Sequence, residues 1–338
     1  MTAVNTQCRL AARPTGLPKA PDWAIVDGPM PASANGEFVV EIDYLSIDPA
    51  MRTWMNAGRS YVPPVEIGEV MRAFAVGRVI ESHHPEFAVG DQVSGLFGVQ
   101  NYAVSDGAGV NKIDTTLAPA TASLAALGIS GLTAYFGLLD IGRPEPGQTV
   151  LVSGAAGSVG NIVGQIAKIN GCRAVGIAGG EHKCRWLLEQ AGFDAAIDYK
   201  TADLRTELKT HAPDGVDVFF DNVGGVALEA ALNRLARGAR VVLCGAVSQY
   251  NDAPRGPANY MQLLVARASM TGFVIFDYLT RYPEGVAQLA KWVGTGQLRS
   301  HEDIERGDVG DFPETLLKLF SGQNTGKLIL ALKGPSPR

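Results

Sequence analysis

Up to Val104 the apolar and polar positions of this chain alternate with period two, in short bursts. Glu37–Tyr44 alternates first. Phe74–Ser82 follows with its A-V-G-R-V-I-E-S stretch, Asp91–Gly95 comes after the Val89-Gly90 turn, and Val99–Val104 closes the set. Short strands at this spacing, cut by Gly and Pro, predict a barrel-like all-β module. From Leu117 onward the period changes, and Leu124, Leu127, Leu132, Tyr135 and Phe136 fall at helical spacing.

Strands and helices then alternate. The predicted strands are Val150–Ser153, Arg173–Ala178, Ala195–Asp198, Val216–Asp221, Arg240–Gly245 and Ser269–Ile275, most of them separated by helical patterns. That order predicts a doubly wound parallel sheet. A last apolar stretch, Lys327–Leu332, reads as a strand. The βα alternation has ended before it, so it is expected to return to the first domain. The expected division is residues 1–124 with 308–338 as a β-rich substrate-binding domain, and 125–307 as the doubly wound domain. The cleft between two such domains is the default substrate site.

Inside the second region lies T-V-L-V-S-G-A-A-G-S-V-G, from Thr149 to Gly160. An apolar strand turns on Gly154, Gly157 and Gly160, and a helix opens through Ile162, Val163, Ile166 and Ala167. Glycines here let backbone N–H groups and a helix N-terminus approach a pyrophosphate, since no Cβ blocks them. The spacing is Ala155-x-Gly157-x-x-Gly160, with alanine where the usual dinucleotide fingerprint has its first glycine. A glycine-rich turn in some other α/β domain is the competing reading. The fold class is therefore α/β, a Rossmann-type parallel sheet plus a β-rich domain.

A second strand that binds NAD usually ends near an Asp or Glu, about 20 residues past the glycines, which accepts from the ribose 2′-OH. Here the strand runs into Ala178-Gly179-Gly180, followed by Glu181, His182, Lys183 and Arg185. A small, uncharged strand end with cations one turn on leaves room and charge for a 2′-phosphate, which favours NADP over NAD. Glu181 keeps the NAD reading open. Lys183 and Arg185 also read as a solvated helix start, although cations there oppose the helix dipole.

Length and composition narrow the class. The chain has 338 residues, enough for two domains, and a formal net charge of −5 that argues against a broad nucleic-acid surface. No apolar run approaches the ~18 residues of a membrane span. Met1–Arg13 lacks a hydrophobic signal core, so the expected location is the cytoplasm. Cys8, Cys172, Cys184 and Cys244 lie far apart and match neither a disulfide framework nor a zinc site. His83 and His84, beside Pro85, read as surface residues rather than ligands, and no metal is expected.

Several stretches in order resemble one family along nearly the whole chain: L-S-I-D-P-A-M-R (Leu45–Arg52), S-G-A-A-G-S-V-G (Ser153–Gly160), G-Q-I-A-K (Gly164–Lys168), F-D-N-V-G-G (Phe220–Gly225), C-G-A-V-S-Q-Y-N (Cys244–Asn251) and N-T-G-K (Asn324–Lys327). The chain resembles the zinc-independent medium-chain dehydrogenase/reductases, in particular the leukotriene dehydrogenase, prostaglandin reductase and alkenal double-bond reductase group. The resemblance implies an NADPH enzyme with a co-chaperonin-like β-domain and a homodimeric assembly. It implies that Gly157, Ser158, Val159 and Gly160 hold the pyrophosphate. Lys183 would pair with the 2′-phosphate, with Tyr199 near that end, and Asn222 would reach the ribose side. Cys244, Gly245, Ala246, Val247, Ser248, Gln249 and Tyr250 would line the nicotinamide side. Phe273, Val274 and Ile275 would supply backbone around the carboxamide, and Asn324 would contact the cofactor from the returning tail. Asn222, Gly245 and Phe273 also fall at predicted carboxyl ends of strands, where open α/β sheets bind ligands.

The implied chemistry is reduction of a conjugated C=C bond in a small apolar enone or enal, with hydride delivered to the β-carbon. Negative charge then develops on the carbonyl oxygen, and a hydrogen-bond donor aimed there stabilises the transition state. The donor candidates are Tyr250, Tyr61 in the Ser60–Pro64 loop, and Tyr260 before an apolar helix, Met261–Val265. Each also reads as a packed tyrosine. Ala50 and Val265 stand where several relatives have tyrosine, which predicts a more open or more apolar pocket. Arg52 reads either as an anchor for an acidic substrate group or, preferably, as a structural partner of a carboxylate such as Asp48. Quinone reduction, allylic alcohol oxidation and NADPH binding without catalysis remain the alternatives.

Overall fold

The computed structural model describes Val4–Leu332. Of the expected first domain, residues 1–3 and 333–338 lie outside the described residues. The chain divides into two compact units, one running up to Leu124 and resuming at Glu302, the other Ala125–His301.

The first unit opens with a two-stranded antiparallel ribbon, β1 (Val4–Leu10) and β2 (Trp23–Pro29). A larger sheet follows with β3 (Phe38–Ser46), β4 (Ala75–Ser82), β5 (Gln92–Gly95), β6 (Tyr102–Ser105) and β7 (Asn111–Lys112). The short helix α1 (Met51–Trp54) sits between β3 and β4. Phe38, Leu45, Met51, Trp54, Met71 and Phe97 are buried together in this unit. The strand expected at Val99–Val104 begins only at Tyr102, because Val99 is already spent on loop bonds, donating to Met71 O and accepting from Cys8 N–H.

The second unit is the parallel sheet. It contains β8 (Thr149–Ser153), β9 (Arg173–Ala178), β10 (Ala195–Asp198), β11 (Val216–Asp221), β12 (Leu235–Leu243) and β13 (Ser269–Gly272). Its helices are α2 (Ile129–Phe136), α3 (Ser158–Ile169), α4 (Glu181–Glu189), α5 (Leu204–His211), α6 (Gly225–Leu232), α7 (Gln262–Ala266) and α8 (Tyr282–Gly294). The strand order is β10-β9-β8-β11-β12-β13, and every described pairing is parallel. Both faces are covered. Val150, Val152 and Phe220 join one core layer, and Leu151, Phe219 and Val241 join the other. That two-sided burial is why these strands read as continuous apolar runs.

Two strand boundaries differ from expectation. β12 starts at Leu235, ahead of Arg240, with a register irregularity opposite Val216/Val218, and it ends at Leu243. β13 stops at Gly272, so Phe273–Ile275 follow the strand and do not extend it. The helix predicted over Met261–Val265 is present as α7, but Met261, Leu264 and Val265 are exposed rather than packed inward.

The chain then returns. β14 (Glu302–Gly307), α9 (Phe312–Phe320) and β15 (Lys327–Leu332) complete the first unit. β15 pairs antiparallel with β3 and parallel with β14, giving the sheet order β14-β15-β3-β4-β5-β7, with β6 on β3. The return begins at Glu302, six residues before the expected 308, because β14 is a strand of this sheet.

Lys327, at the start of β15, is 1% exposed. Its ammonium donates to Ile47 O at 3.1 Å and pairs with Asp48, which also accepts from Ser46 Oγ. The returning strand is thereby pinned to the loop that leaves β3. Arg52 is buried, and Asp22 is a carboxylate whose charge acts on it. The guanidinium donates to Gly16 O at 3.0 Å, Pro14 O at 3.2 Å and Asn56 Oδ1 at 2.7 Å, while Asp48 is held by Lys327 and Ser46. His84 is half-buried rather than on the surface, edge-on to Phe38 at 5.7 Å and Phe87 at 5.1 Å between centroids, whereas His83 is exposed.

Removing one member of a buried ion pair strands the other. Lys327→Met is expected to cost about 2–3 kcal/mol, toward the low end for such pairs because Asp48 still reaches water. A urea unfolding series checks this; a shift worth under about 1 kcal/mol would mean that water replaces the ammonium without penalty.

Candidate functional site

β8 ends at Ser153, and the chain turns through Gly154–Gly157 into α3. The turn is tied to the next strand by Ala155 N–H donating to Ile177 O at 3.0 Å. Gly160 lies so close to Gly154 that a Cβ on it would stand 2.3 Å from Gly154 O. Only glycine permits that approach, and it brings the first turn of α3 down onto the strand end. Gly157 is the N-cap residue, and no acidic side chain occupies the first turn.

A helix start leaves its first N–H groups without intrahelical partners. Here they belong to Ser158, Val159 and Gly160. Ser158 Oγ is buried and has no hydrogen-bond partner. An enclosed, unsatisfied hydroxyl beside a row of helix N–H groups suits the oxygens of a pyrophosphate. The residues present therefore fit the phosphates of a dinucleotide.

At the end of β9 the wall is set by the next turn. Tyr199, just past β10, is half exposed, and its ring lies against Gly179. Gly180 N–H donates to Asp198 Oδ1 at 2.8 Å. Lys183 lies in the first turn of α4, with its N–H on Gly180 O at 3.1 Å. Glu181 points into solvent and pairs with Arg185 at 2.5 Å. The acid that kept an NAD reading open is thus occupied one helical turn along.

Across the sheet, the segments after β8, β11 and β12 converge. Asn222 Nδ2 donates to Ser153 O at 2.7 Å, and Asn222 N–H to Ser153 Oγ at 2.8 Å. Val247 N–H donates to Asn222 O at 3.2 Å, and Ser248 Oγ to Val223 O at 2.6 Å. Gln249 closes the same loop by accepting from Arg255 N–H at 2.6 Å. Burial first and neighbouring Asp221 second push the Cys244 thiol up to about 12.

Phe273 turns its ring into the core. A Cβ on Gly137 would stand 2.5 Å from that ring, and Phe220 lies 6.3 Å away centroid to centroid. The backbone of Val274 and Ile275 is thereby anchored just beyond β13. Gly137 begins a wide π-type turn that continues α2 to Gly142. Sequence reading named Phe273 but missed Gly137.

The described residues hold no group of three or more His, Cys, Asp or Glu side chains that could bind a metal ion. No helix among them is long and apolar enough to cross a membrane.

Residues 6–113 match a family described as the N-terminal domain of oxidoreductase, and residues 158–292 one described as zinc-binding dehydrogenase. The NADPH-dependent curcumin reductase of Escherichia coli (strain K12) is 39% identical over 98% of this chain and 97% of its own length. This chain belongs to the medium-chain dehydrogenase/reductase family. A 2-alkenal reductase (NADP(+)-dependent) of Nicotiana tabacum is 37% identical over 96% of this chain and 97% of its own. The crystal structure of CurA from Vibrio vulnificus in complex with NADPH superposes with a TM-score of 0.91, at 41% identity, covering 98% of this chain and 100% of that one.

Within this medium-chain reductase the three tyrosine candidates have different settings. Tyr250 belongs to the converging loops. Its hydroxyl accepts from Ala246 N–H at 3.3 Å and rests where a Cβ on Gly245 would be 2.9 Å away. Tyr260 is 59% exposed on the turn before α7, and its neighbours Ala258 and Asn259 bond to Glu229 of α6. Tyr61 is in the first unit, half exposed, accepting from Trp54 Nε1 at 3.3 Å. Asn324 is also in the first unit, where its Nδ2 donates to Gly326 O at 3.0 Å.

Gly160→Ala is expected to push α3 away from the strand end and weaken NADPH binding by about tenfold or more, since one misplaced charge-assisted hydrogen bond already costs that much. Gly294→Ala serves as the control, because a Cβ there meets nothing within 4 Å. Fluorescence titration of NADPH on both variants checks the difference; equal affinities would reject the tight turn as the phosphate site.

Proposed function

We propose that this protein is an NADPH-dependent ene-reductase, reducing the C=C bond conjugated to a ketone or aldehyde. It is an NADP-dependent oxidoreductase of the medium-chain family. The observation that carries the finer reading is near full-length similarity to reductases named for curcumin and for 2-alkenals. Both compound types hold a C=C bond next to a carbonyl. NADPH, when bound, supplies the hydride for the β-carbon.

The chain's own part is to bind, orient and stabilise charge. Gly157–Gly160 and Ser158 Oγ are assigned to the pyrophosphate, and Lys183 with Tyr199 to the 2′-phosphate end. Asn222 and the loop Cys244–Tyr250 are assigned to the ribose and nicotinamide side, with the Phe273–Ile275 backbone beyond them. Tyr250 is our choice for the donor to the developing enolate. Its oxygen accepts from Ala246 N–H, which orients the phenol, and a phenol donates through its hydrogen. An enolate can be protonated at its α-carbon by water, so no His/Asp relay is required. We extend the reading to a cytoplasmic homodimer, as the family resemblance implies.

A panel of an enone, a 2-alkenal, a quinone and an allylic alcohol, followed by coenzyme absorbance, tests the substrate class. Turnover of the first two is expected. Activity confined to the quinone or the alcohol would replace the reading with those alternatives, and coenzyme binding without turnover of any would make the chain a binding protein. Lys183→Ala is expected to raise KM for NADPH about tenfold while leaving NADH nearly unchanged, as loss of one charge-assisted contact to a phosphate predicts. Tyr250→Phe is expected to lower kcat on the enone by about 10². An undiminished kcat would dismiss Tyr250 as the donor.

A further inference from the structure

Asp221 ends β11 and is fully buried, yet the assignments above give it no role. One of its oxygens, Oδ1, accepts from Ser153 Oγ at 2.6 Å and from the N–H groups of Val223 and Gly224, both at 3.0 Å. Its main-chain oxygen accepts from Cys244 N–H at 2.9 Å and Gly245 N–H at 3.1 Å. One residue thus bonds the end of β8, the loop after β11 and the segment leaving β12. The strand order reverses direction between β8 and β11, and in open α/β sheets the crevice at that point receives the ligand.

The chemistry explains why an acid stands here. Three donors converging on one oxygen need concentrated negative charge and open lone pairs, which a carboxyl oxygen supplies. The arrangement is costly: Oδ2 is enclosed without any partner, and burial raises the carboxyl's pKa against the pull of its three donors. A buried polar atom left unsatisfied calls for a compensating purpose. Ser153 also holds Asn222 from two sides, so the carboxyl, the serine and the asparagine form one knot.

We infer that Asp221 is a positioning residue for the dinucleotide site, its Oδ1 fixing the distance between the end of β8 and the Asn222–Gly225 loop. It touches neither coenzyme nor substrate; it sets where Asn222 stands. The consequence for binding rests on the dinucleotide reading, whereas the clamp itself does not.

The test uses the full chain, with Asp221→Ala, Asp221→Asn and Ser153→Ala. Two readouts are taken: NADPH affinity by titration, and hydrogen exchange of the Val223 and Gly224 amides without coenzyme. In Asp221→Ala both amides are expected to exchange about tenfold faster and the NADPH Kd to rise about tenfold, with kcat at saturating NADPH within about threefold of the parent. Asp221→Asn keeps an acceptor oxygen in place without the charge and is expected to restore both readouts in part, while Ser153→Ala falls between. Unchanged exchange in Asp221→Ala overturns the clamp. Faster exchange with an unchanged Kd overturns the positioning role, and an Asn variant as weak as the Ala variant overturns the acceptor basis. Should Asp221→Ala fail to fold, Ser153→Ala carries both readouts against its own intermediate expectation, and exchange unchanged in both Ser153→Ala and Asp221→Asn overturns the clamp. A parent chain that binds no NADPH rejects the dinucleotide reading and the positioning role together, and amide exchange still decides the clamp.

Discussion

The approach of Gly160 to Gly154 O is the constraint on which the nucleotide unit depends. A helix can present its N–H groups to a phosphate only if its first turn comes down onto the end of the strand before it. Here that requires the absence of a single Cβ. The rest follows in sequence. Ala155 is bonded to β9, so the position of α3 is transmitted to the turn that carries Lys183. Ser153, last residue of β8, is bonded to Asp221 and Asn222, so the same strand end also sets the loop after β11. A side-chain knot and a backbone contact thus meet at one strand terminus.

Much of this was legible in the chain, and the reasons are physical. β8 and β11 are buried on both faces, so they read as unbroken apolar runs, and the glycines from Gly154 to Gly160 mark a tight strand-to-helix turn. β14 was illegible for the opposite reason. Its sequence is E-D-I-E-R-G, it lies at a sheet edge and among the described residues pairs as a strand only with β15, and its one large apolar residue, Ile304, is exposed. An edge strand of that kind obeys hydrogen bonding and not burial, so no alternation marks it. β12 was only half legible, because its first residues hold β11 across an irregular register.

The site shows the same division. Glycines, Asn222 and Lys183 stand at positions where spacing and strand ends point to them. Asp221 was read only as the last residue of a strand, and only three dimensions reveal that its carboxyl is enclosed. Gly137 could not be found, since its partner Phe273 lies far along the chain and their contact has no local periodicity. Lys327 is similar. The sequence shows it only as the first residue of an apolar strand, while in the structure it is buried on the loop after β3.

The place of β15 beside β3 has a consequence for biosynthesis. Chains emerge from the ribosome amino end first, and domains tend to close as soon as their residues are available. In this protein the opening residues cannot complete their sheet until Lys327 and the strand it begins have been made. The nucleotide unit, a continuous segment, has every residue it needs earlier. The first unit is therefore completed after the second, and until then Tyr44–Ser46 of β3 lack the strand that pairs with them.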